Sequence, residues 1–319
     1  MLINKIKYKY YDNLFDKYFD QGNAKEIDKL FRILSSKNDN KYYGLILKYL
    51  SKTLESEKYT SIFSKNLIWV NSFDPDDCNY INNFINFLFT SNNIPSKKPR
   101  TYHAYLLDII KEKNLDNVTF NNVVDFNYLY QYFLSQSSDE FLILNTSSAF
   151  FETDLKRYFT HYFLTKFFIY IVKNPLEIYK KRKIKNPNAS TTENMYGLIA
   201  SKVNYSQKHV IEDRFAEENI QDWSTNVYSW TNPNVCSTFR GYILKYEDLL
   251  QDPLQILSEI LGHIQQSGIP LNIDYKIINS FIEKNPINKE NLDIDISNKE
   301  TKLLTRDTNK ISKKIGYSN

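Results

Sequence analysis

Cysteine, histidine and glycine are all scarce in this chain of 319 residues, which has two, four and seven of them. Cys78 and Cys236 lie far apart, with no CxxC and no neighbouring histidine, so neither a disulfide framework nor a zinc site is indicated. A reducing cytoplasm is the expected compartment. Long apolar runs are also missing. The longest, FFIYIV at 167–172, falls far short of the ~20 residues that cross a bilayer. The amino-terminal MLINKIKYKYYDN has no apolar signal-peptide core. A soluble chain without a membrane span is expected. Strong charge is absent too: the net charge of +4 is mild, and a phosphate-tracking surface needs clustered Lys and Arg. Nucleic acid is not an expected partner. The clearest cluster is Lys180 to Lys185, for which two readings are open, a solvated helix face or a phosphate-facing patch.

What is abundant says less about function. Aromatics reach 15%, mostly Tyr and Phe, alongside frequent Asn, Lys and Ile. All of these have AT-rich codons, so the bias reports genome composition rather than base stacking or sugar binding. Length and composition suit one large α/β domain, or one domain with a helical extension.

Along the chain, residues 1–65 read as helices. Leu14, Phe15, Tyr18 and Phe19 recur at helical spacing, as do Leu45, Ile46, Tyr49 and Leu50. GlyAsn at 22–23 and SSKNDNK at 35–41 read as connections. From 66 the pattern changes. LIWVNSF at 67–73 is a buried-strand candidate, followed by a helix with Ile81, Phe84, Ile85, Leu88 and Phe89 on one face. Further strand candidates are FLILN at 141–145, FFIYIV at 167–172 and GYILKY at 241–246, with helical segments at about 195–220 and 252–266. Strands interleaved with helices predict a parallel sheet covered on both faces. Residues 91–101 read as a loop, and the segment from 287 as a polar, weakly periodic tail. Asp252 before Pro253 reads as a helix N-cap with Pro at the first position. Glu247 and Asp248 sit at a strand end, where a structural salt bridge is the plain expectation.

Four segments, in order, resemble the sulfotransferase family. LIWVNSF with its loop and helix is similar to the family's first strand, phosphosulfate loop and first helix. FLILNTSSAF at 141–150 is similar to the strand that ends in Lys-Thr-His. FFIYIVKNPLEIYKK at 167–181 is similar to the strand and turn reading Arg-Asn-Pro or Arg-Asp-Pro. WSTNVYSWTNPN and then GYILKYEDLLQDPLQILSEIL is very similar to the late Trp segment, strand and helix, and is the most specific of the four. The resemblance covers roughly residues 66 to 266. It implies an α/β fold, a three-layer parallel sheet with helices on both faces, of the sulfotransferase and P-loop NTPase-like kind, plus an N-terminal helical extension. The organisation expected is a helical extension at 1–65, a sulfotransferase-like domain at 66–286 and a polar tail at 287–319.

The resemblance also implies a cofactor, 3′-phosphoadenosine-5′-phosphosulfate, and sites for it. The family's phosphate loop, Pro-Lys-Ser-Gly-Asn/Thr-Thr, corresponds to Asp74-Pro75-Asp76-Asp77-Cys78-Asn79. Asp76, Asp77, Cys78 and Asn79 thus stand where backbone N–H groups would cradle the 5′-phosphosulfate. The family Lys falls on Pro75. Two carboxylates about 5 Å from a phosphate charge, at an effective dielectric near 20, would each repel it by about 3 kcal/mol. The residues themselves fit a structural role: Asp74 as N-cap, Pro75 at the first position, Asp76 and Asp77 in the first turn. A divalent cation on Asp74, Asp76 and Asp77, bridging to phosphate, is a further option. At the 3′-phosphate, Lys173-Asn174-Pro175 resembles Arg-Asn-Pro and the family Ser falls on Lys181. Lys173, Asn174 and Lys181, with Arg182 nearby, are the candidates there, as point charges without the Arg fork. The alternative for these cations is a solvated helix face. The family's general-base His falls on Ser147, which has no suitable pKa for the task. The four histidines, His103, His161, His209 and His263, lie in no matching motif.

Two functions follow from the resemblance. One is a non-catalytic relative with a degenerate donor site, binding a partner or glycan, with 1–65 as a possible protein-binding surface. The other is an active sulfotransferase that moves a sulfuryl group to a hydroxyl or amine of a glycan, lipid or small molecule. An enzyme with a different donor on the same scaffold is a third option. Acceptor pockets in the family are built from variable loops, here 91–140 and 185–235. Trp223 and Trp230, seven apart on one helical face, are read as core packing rather than pocket lining.

Overall fold

The computed structural model describes residues 2–37, 39–54, 59, 63–115, 123–136, 139–147, 164–199, 222–272, 275–287 and 292–317. Packing divides the chain into two units: residues 1–67, 102–139 and 152–165 form one, and 68–101, 140–151 and 166–319 the other. Among the described residues, no helix is long and apolar enough to cross a membrane.

The first unit is helical. It contains α1 (Leu2–Asp20), α2 (Ala24–Ser35), α3 (Asn40–Leu54), α5 (Tyr102–Lys113) and α6 (Val123–Gln136). Asn23 caps α2 by accepting from the Glu26 N–H, which is why the chain turns at GlyAsn. Asp12 pairs with Lys48 and Asp16 with Lys52, so α1 and α3 run in the same direction and α2 returns between them. The helical spacing of Phe15 and Tyr49 puts their rings in a stack, 4.3 Å between centroids. The sequence places the helical part in 1–65 alone. The structure adds α5 and α6, whose aromatics join the same core: Phe31 lies 5.5 Å from Tyr132, and the Tyr43 hydroxyl donates to the Lys113 carbonyl. A unit made of separated chain segments leaves no trace in local pattern. The described residues between 91 and 140, expected as variable loop, are mostly strand and helix.

The second unit is α/β. Its sheet is all parallel, in the order β2-β3-β1-β4-β5. The strands are β1 (Leu67–Ser72), β2 (Ser96–Thr101), β3 (Phe141–Asn145), β4 (Thr165–Val172) and β5 (Gly241–Lys245). Every residue of β1 is buried, as a near-continuous apolar run in a central parallel strand should be. Ile68, Val70, Ile143, Phe167, Ile169 and Ile171 point to one face. There they meet α4 (Asn79–Ser91), α12 (Pro253–Gln266) and α13 (Tyr275–Lys284). On the other face of β4, Phe168 and Tyr170 pack against Trp230 of α9 (Trp223–Thr231), at 5.1 and 5.8 Å between ring centroids. Helices thus lie on both faces of β4.

Residues 91–101 are not all loop, because β2 occupies Ser96–Thr101 and pairs in parallel with β3. SKKPRT hides a strand because it is an edge. An edge tolerates Pro99 and charged side chains, and the register slips between Lys97 and Arg100, around that proline. The segment from 287 is not a loose tail, because it carries α14 (Asn298–Lys314). Ser297 and Glu300 form a capping box at its start. Leu304, Thr308 and Ser312 form its buried stripe. Two of those three are polar, so apolar periodicity does not reveal the helix.

Candidate functional site

Two neighbouring strands of the sheet leave in opposite directions. β1 leads through α4 to β2 on one flank, and β4 leads to β5 on the other. Beyond the carboxyl ends of such a strand pair an open parallel sheet forms a crevice, and ligands bind there. The segments after β1 and β4 carry Asp74–Asn79 and Lys173–Lys181. The topology therefore brings both sets of sequence candidates to one place.

The segment after β1 satisfies its own backbone. Asp74 is extended and accepts from the Asp76 N–H with its carboxylate, at 3.2 Å. Pro75 opens a single 3₁₀ turn, Pro75–Cys78, and α4 follows from Asn79. The Asp77 N–H donates to the Asp74 carbonyl, and the Asn79 N–H to the Asp76 carbonyl. These are three of the four amides, those of 76, 77 and 79, that the family resemblance assigns to a phosphosulfate. After β4, Asn174 caps α7 (Pro175–Lys185) by accepting from the Leu176 N–H at 2.9 Å, with Pro175 at the first position.

Charge converges between these segments. Lys173 and Lys181 are buried, and so is Asp77. The Asp77 Oδ1 lies 3.2 Å from the Lys173 Nζ and 3.6 Å from the Lys181 Nζ. Lys181 also lies 3.7 Å from Asp74, and Lys185, in solvent, 3.6 Å from Asp76. The Lys173 Nζ sits 4.4 Å from the Tyr246 ring centroid. Burial raises the Asp77 carboxyl above its ordinary value; Lys173 and Lys181 oppose that rise, while the Asp74 carboxylate adds to it. Its Oδ2 has no hydrogen-bond partner among the described residues. Burial pushes the Cys78 thiol well up, and the three neighbouring carboxylates push it further. Arg182, part-buried, donates to the Tyr196 carbonyl, and burial lowers its pKa against the pull of Asp74.

The Lys180–Lys185 cluster is largely matched by acids of the same chain. Lys180 pairs with Glu177, Lys181 with Asp77 and Asp74, Lys183 with Glu300 and Lys185 with Asp76, so the chain's own acids take most of its charge. Asp74, Asp76 and Asp77 turn to these cations rather than to one another. Among the described residues, no group of three or more His, Cys, Asp or Glu is placed to hold a metal ion.

Ser147, at the position of the family's base, is buried just past β3. Its carbonyl accepts from the Asn226 Nδ2 at 2.7 Å. The Asn226 Oδ1 accepts from the Tyr170 hydroxyl at 2.6 Å. The preceding Thr146 N–H donates to Asn71 at the end of β1. His263 lies at the opposite end of the sheet, with its Nε2 3.0 Å from the Arg240 carbonyl just before β5. His103 belongs to α5 in the helical unit, and His161 and His209 lie outside the described residues. Trp223 and Trp230 are fully buried, and the Trp223 Nε1 donates to the Lys173 carbonyl at 3.2 Å. The Trp segment is thus core that also holds the Lys173 turn.

Sequence reasoning missed Tyr317 and the partners of Glu247. Glu247, in α11 (Tyr246–Gln251), makes hydrogen bonds rather than the expected salt bridge. Its two oxygens accept from the Asn174 N–H at 2.8 Å and the Tyr317 hydroxyl at 2.6 Å. Only the Ser-x-x-Glu at 297–300 and the Lys-Lys-Ile-Gly at 313–316 hint in the sequence that a helix starts and stops before Tyr317. No family model matches the chain, and no curated protein matches it.

Proposed function

We propose that the protein is a sulfotransferase-like scaffold whose donor site is closed by its own side chains, and that it works by binding rather than by sulfuryl transfer. The observation that carries this reading is the convergence of two buried ammonium groups, from Lys173 and Lys181, on one oxygen of Asp77. A carboxylate oxygen stands where a ligand's anionic oxygen would be held by such a pair.

The residues present do not fit 3′-phosphoadenosine-5′-phosphosulfate. Asp77 would repel its phosphates from a buried position, where charge repulsion is least screened. Asp74 and the turn's own carbonyls already take three of the four amides that would cradle the phosphosulfate. Ser147 supplies no base, and no step of sulfuryl transfer is assigned to these groups.

A time course with labelled donor and a mixed panel of glycan, lipid and small-molecule acceptors tests the proposal. The expected result is no sulfated product above the protein-free control. Product that accumulates with time and with protein concentration would establish an active sulfotransferase and overturn the reading.

A further inference from the structure

The chain's last described residues end beside the crevice. α14 is held along the α/β unit at three points. At its start Glu300 accepts from the Tyr179 hydroxyl at 2.5 Å and from the Lys183 ammonium at 3.1 Å, both on α7. At its middle the Ser224 hydroxyl, on α9, donates to the Asp307 carbonyl. At its end the chain turns sharply. The Tyr317 N–H donates to the Ser312 carbonyl and the Gly316 N–H to that of Lys313, with Gly316 at φ +79. This pair of bonds needs a left-handed residue between helix and exit, and glycine adopts it without strain.

That turn drives the Tyr317 side chain inward. The ring is buried, and the Lys245 Nζ lies 5.0 Å from its centroid while donating to the Gly316 carbonyl. A hydroxyl has one proton to give. The shorter contact, 2.6 Å to the Glu247 Oε2, takes it, and the Val172 carbonyl, the last of β4, lies 3.2 Å away. The other Glu247 oxygen accepts from the Asn174 N–H. A continuous hydrogen-bonded path therefore runs from Tyr317 through Glu247 to Asn174. It ends on the residue next to Lys173.

We infer that α14 is a latch on the crevice, with Tyr317 as the positioning residue that holds the Lys173–Asn174 turn through Glu247. The inference rests on the closed-crevice reading, because it explains how Lys173 is kept on Asp77. Withdrawal of Tyr317 leaves one Glu247 oxygen without its donor and the carboxylate free to swing. The Asn174 N–H then loses a fixed acceptor, and the turn that carries Lys173 can open. The withdrawal also removes the contacts of Tyr317 with the Val172 carbonyl and the Lys245 ammonium, while α7 keeps its own cap in the Asn174 side chain.

The test uses four proteins: the native chain, Tyr317→Phe, Asp77→Ser, and a chain ending after Lys314, which keeps α14. Two quantities are read in each, acetylation of Lys173 by acetic anhydride and hydrogen exchange of the Asn174 amide. The expected result is a rise of roughly tenfold in both for Tyr317→Phe and for the shortened chain, the scale of losing one buried hydrogen bond. Exchange in β1 and α12 stays unchanged. No rise at 173–174 would overturn the latch. So would an equal rise across β1, β4 and α12, which would make Tyr317 a general packing residue. Acetylation of Lys173 that rises in Asp77→Ser but not in Tyr317→Phe would remove the latch and leave the closed-crevice reading standing.

Discussion

Asp77→Ser is the substitution with most to say about the crevice. It takes one carboxylate away from two ammonium groups whose side chains are 4% and 9% exposed. Removing one partner of a buried ion pair costs roughly 3–5 kcal/mol. Two features pull the figure to the low end. Lys181 keeps Asp74 at 3.7 Å, and the Asp77 Oδ2 is itself buried without a hydrogen bond. A loss of about 3 kcal/mol is expected. The same change leaves two cations facing a vacated position, so an oxyanion should restore part of the loss. At about 100 times its dissociation constant, a ligand returns about 2.7 kcal/mol. The assay is urea denaturation read by tryptophan fluorescence, with and without adenosine 3′,5′-bisphosphate. All three tryptophans, Trp69, Trp223 and Trp230, lie in the α/β unit, so the signal reports that unit rather than the helical one. The reasoning fails if Asp77→Ser unfolds within ~0.5 kcal/mol of the native chain. It also fails if the nucleotide raises the native midpoint as much as the variant's.

Other substitutions probe the supports of the site. Gly241→Ala would put a Cβ 2.1 Å from the Phe168 ring, and a loss of about 1–3 kcal/mol or more is expected in the same denaturation assay. Trp223→Phe removes the donor to the Lys173 carbonyl and should cost about 1–3 kcal/mol; an unchanged midpoint would show that the bond is not needed. Asp252→Ala removes the cap of α12 and should cost about 0.5–2 kcal/mol. The Tyr179 hydroxyl, Ser297 and Lys183 hold the Glu300 carboxyl down from 4.5 to about 2. A depressed carboxyl stabilises the fold fully above its unfolded value and loses that contribution as pH falls through the folded one. The protection of α14 amides, measured relative to their intrinsic exchange rate at each pH, should therefore fall between pH 4.5 and about 2, and Glu300→Gln should flatten that dependence.

The parts of the fold visible in the sequence are those whose signal is local. β1, β3 and β4 are short apolar runs between helical patterns, because central parallel strands have to be apolar on both faces, and β5, the other edge, reads as a strand through its apolar GYILK, whose Leu244 reaches the core. Asp74-Pro75 and Asp252-Pro253 announce helix starts because capping chemistry is confined to adjacent residues. The edge strand β2 has no such need, since one side of it faces solvent and polar residues suffice. α14 buries Thr308 and Ser312, so its inner face reads as polar. At the site, the acids at Asp74, Asp76 and Asp77 after the first strand are legible in the sequence, and so are the cations at Lys173 and Lys181. Their meeting is not legible. It depends on the sheet placing residue 77 beside residue 173, a distance of 96 positions in sequence. Glu247 and Tyr317 belong to the same class, because each is unremarkable beside its neighbours and acquires a role only through a long-range partner.

Isothermal titration of the native protein with adenosine 3′,5′-bisphosphate goes most directly to the closed crevice. The account predicts no saturable heat at millimolar nucleotide, because the carboxylate of Asp77 already holds both lysines. A stoichiometric isotherm abolished by Lys173→Met would contradict it.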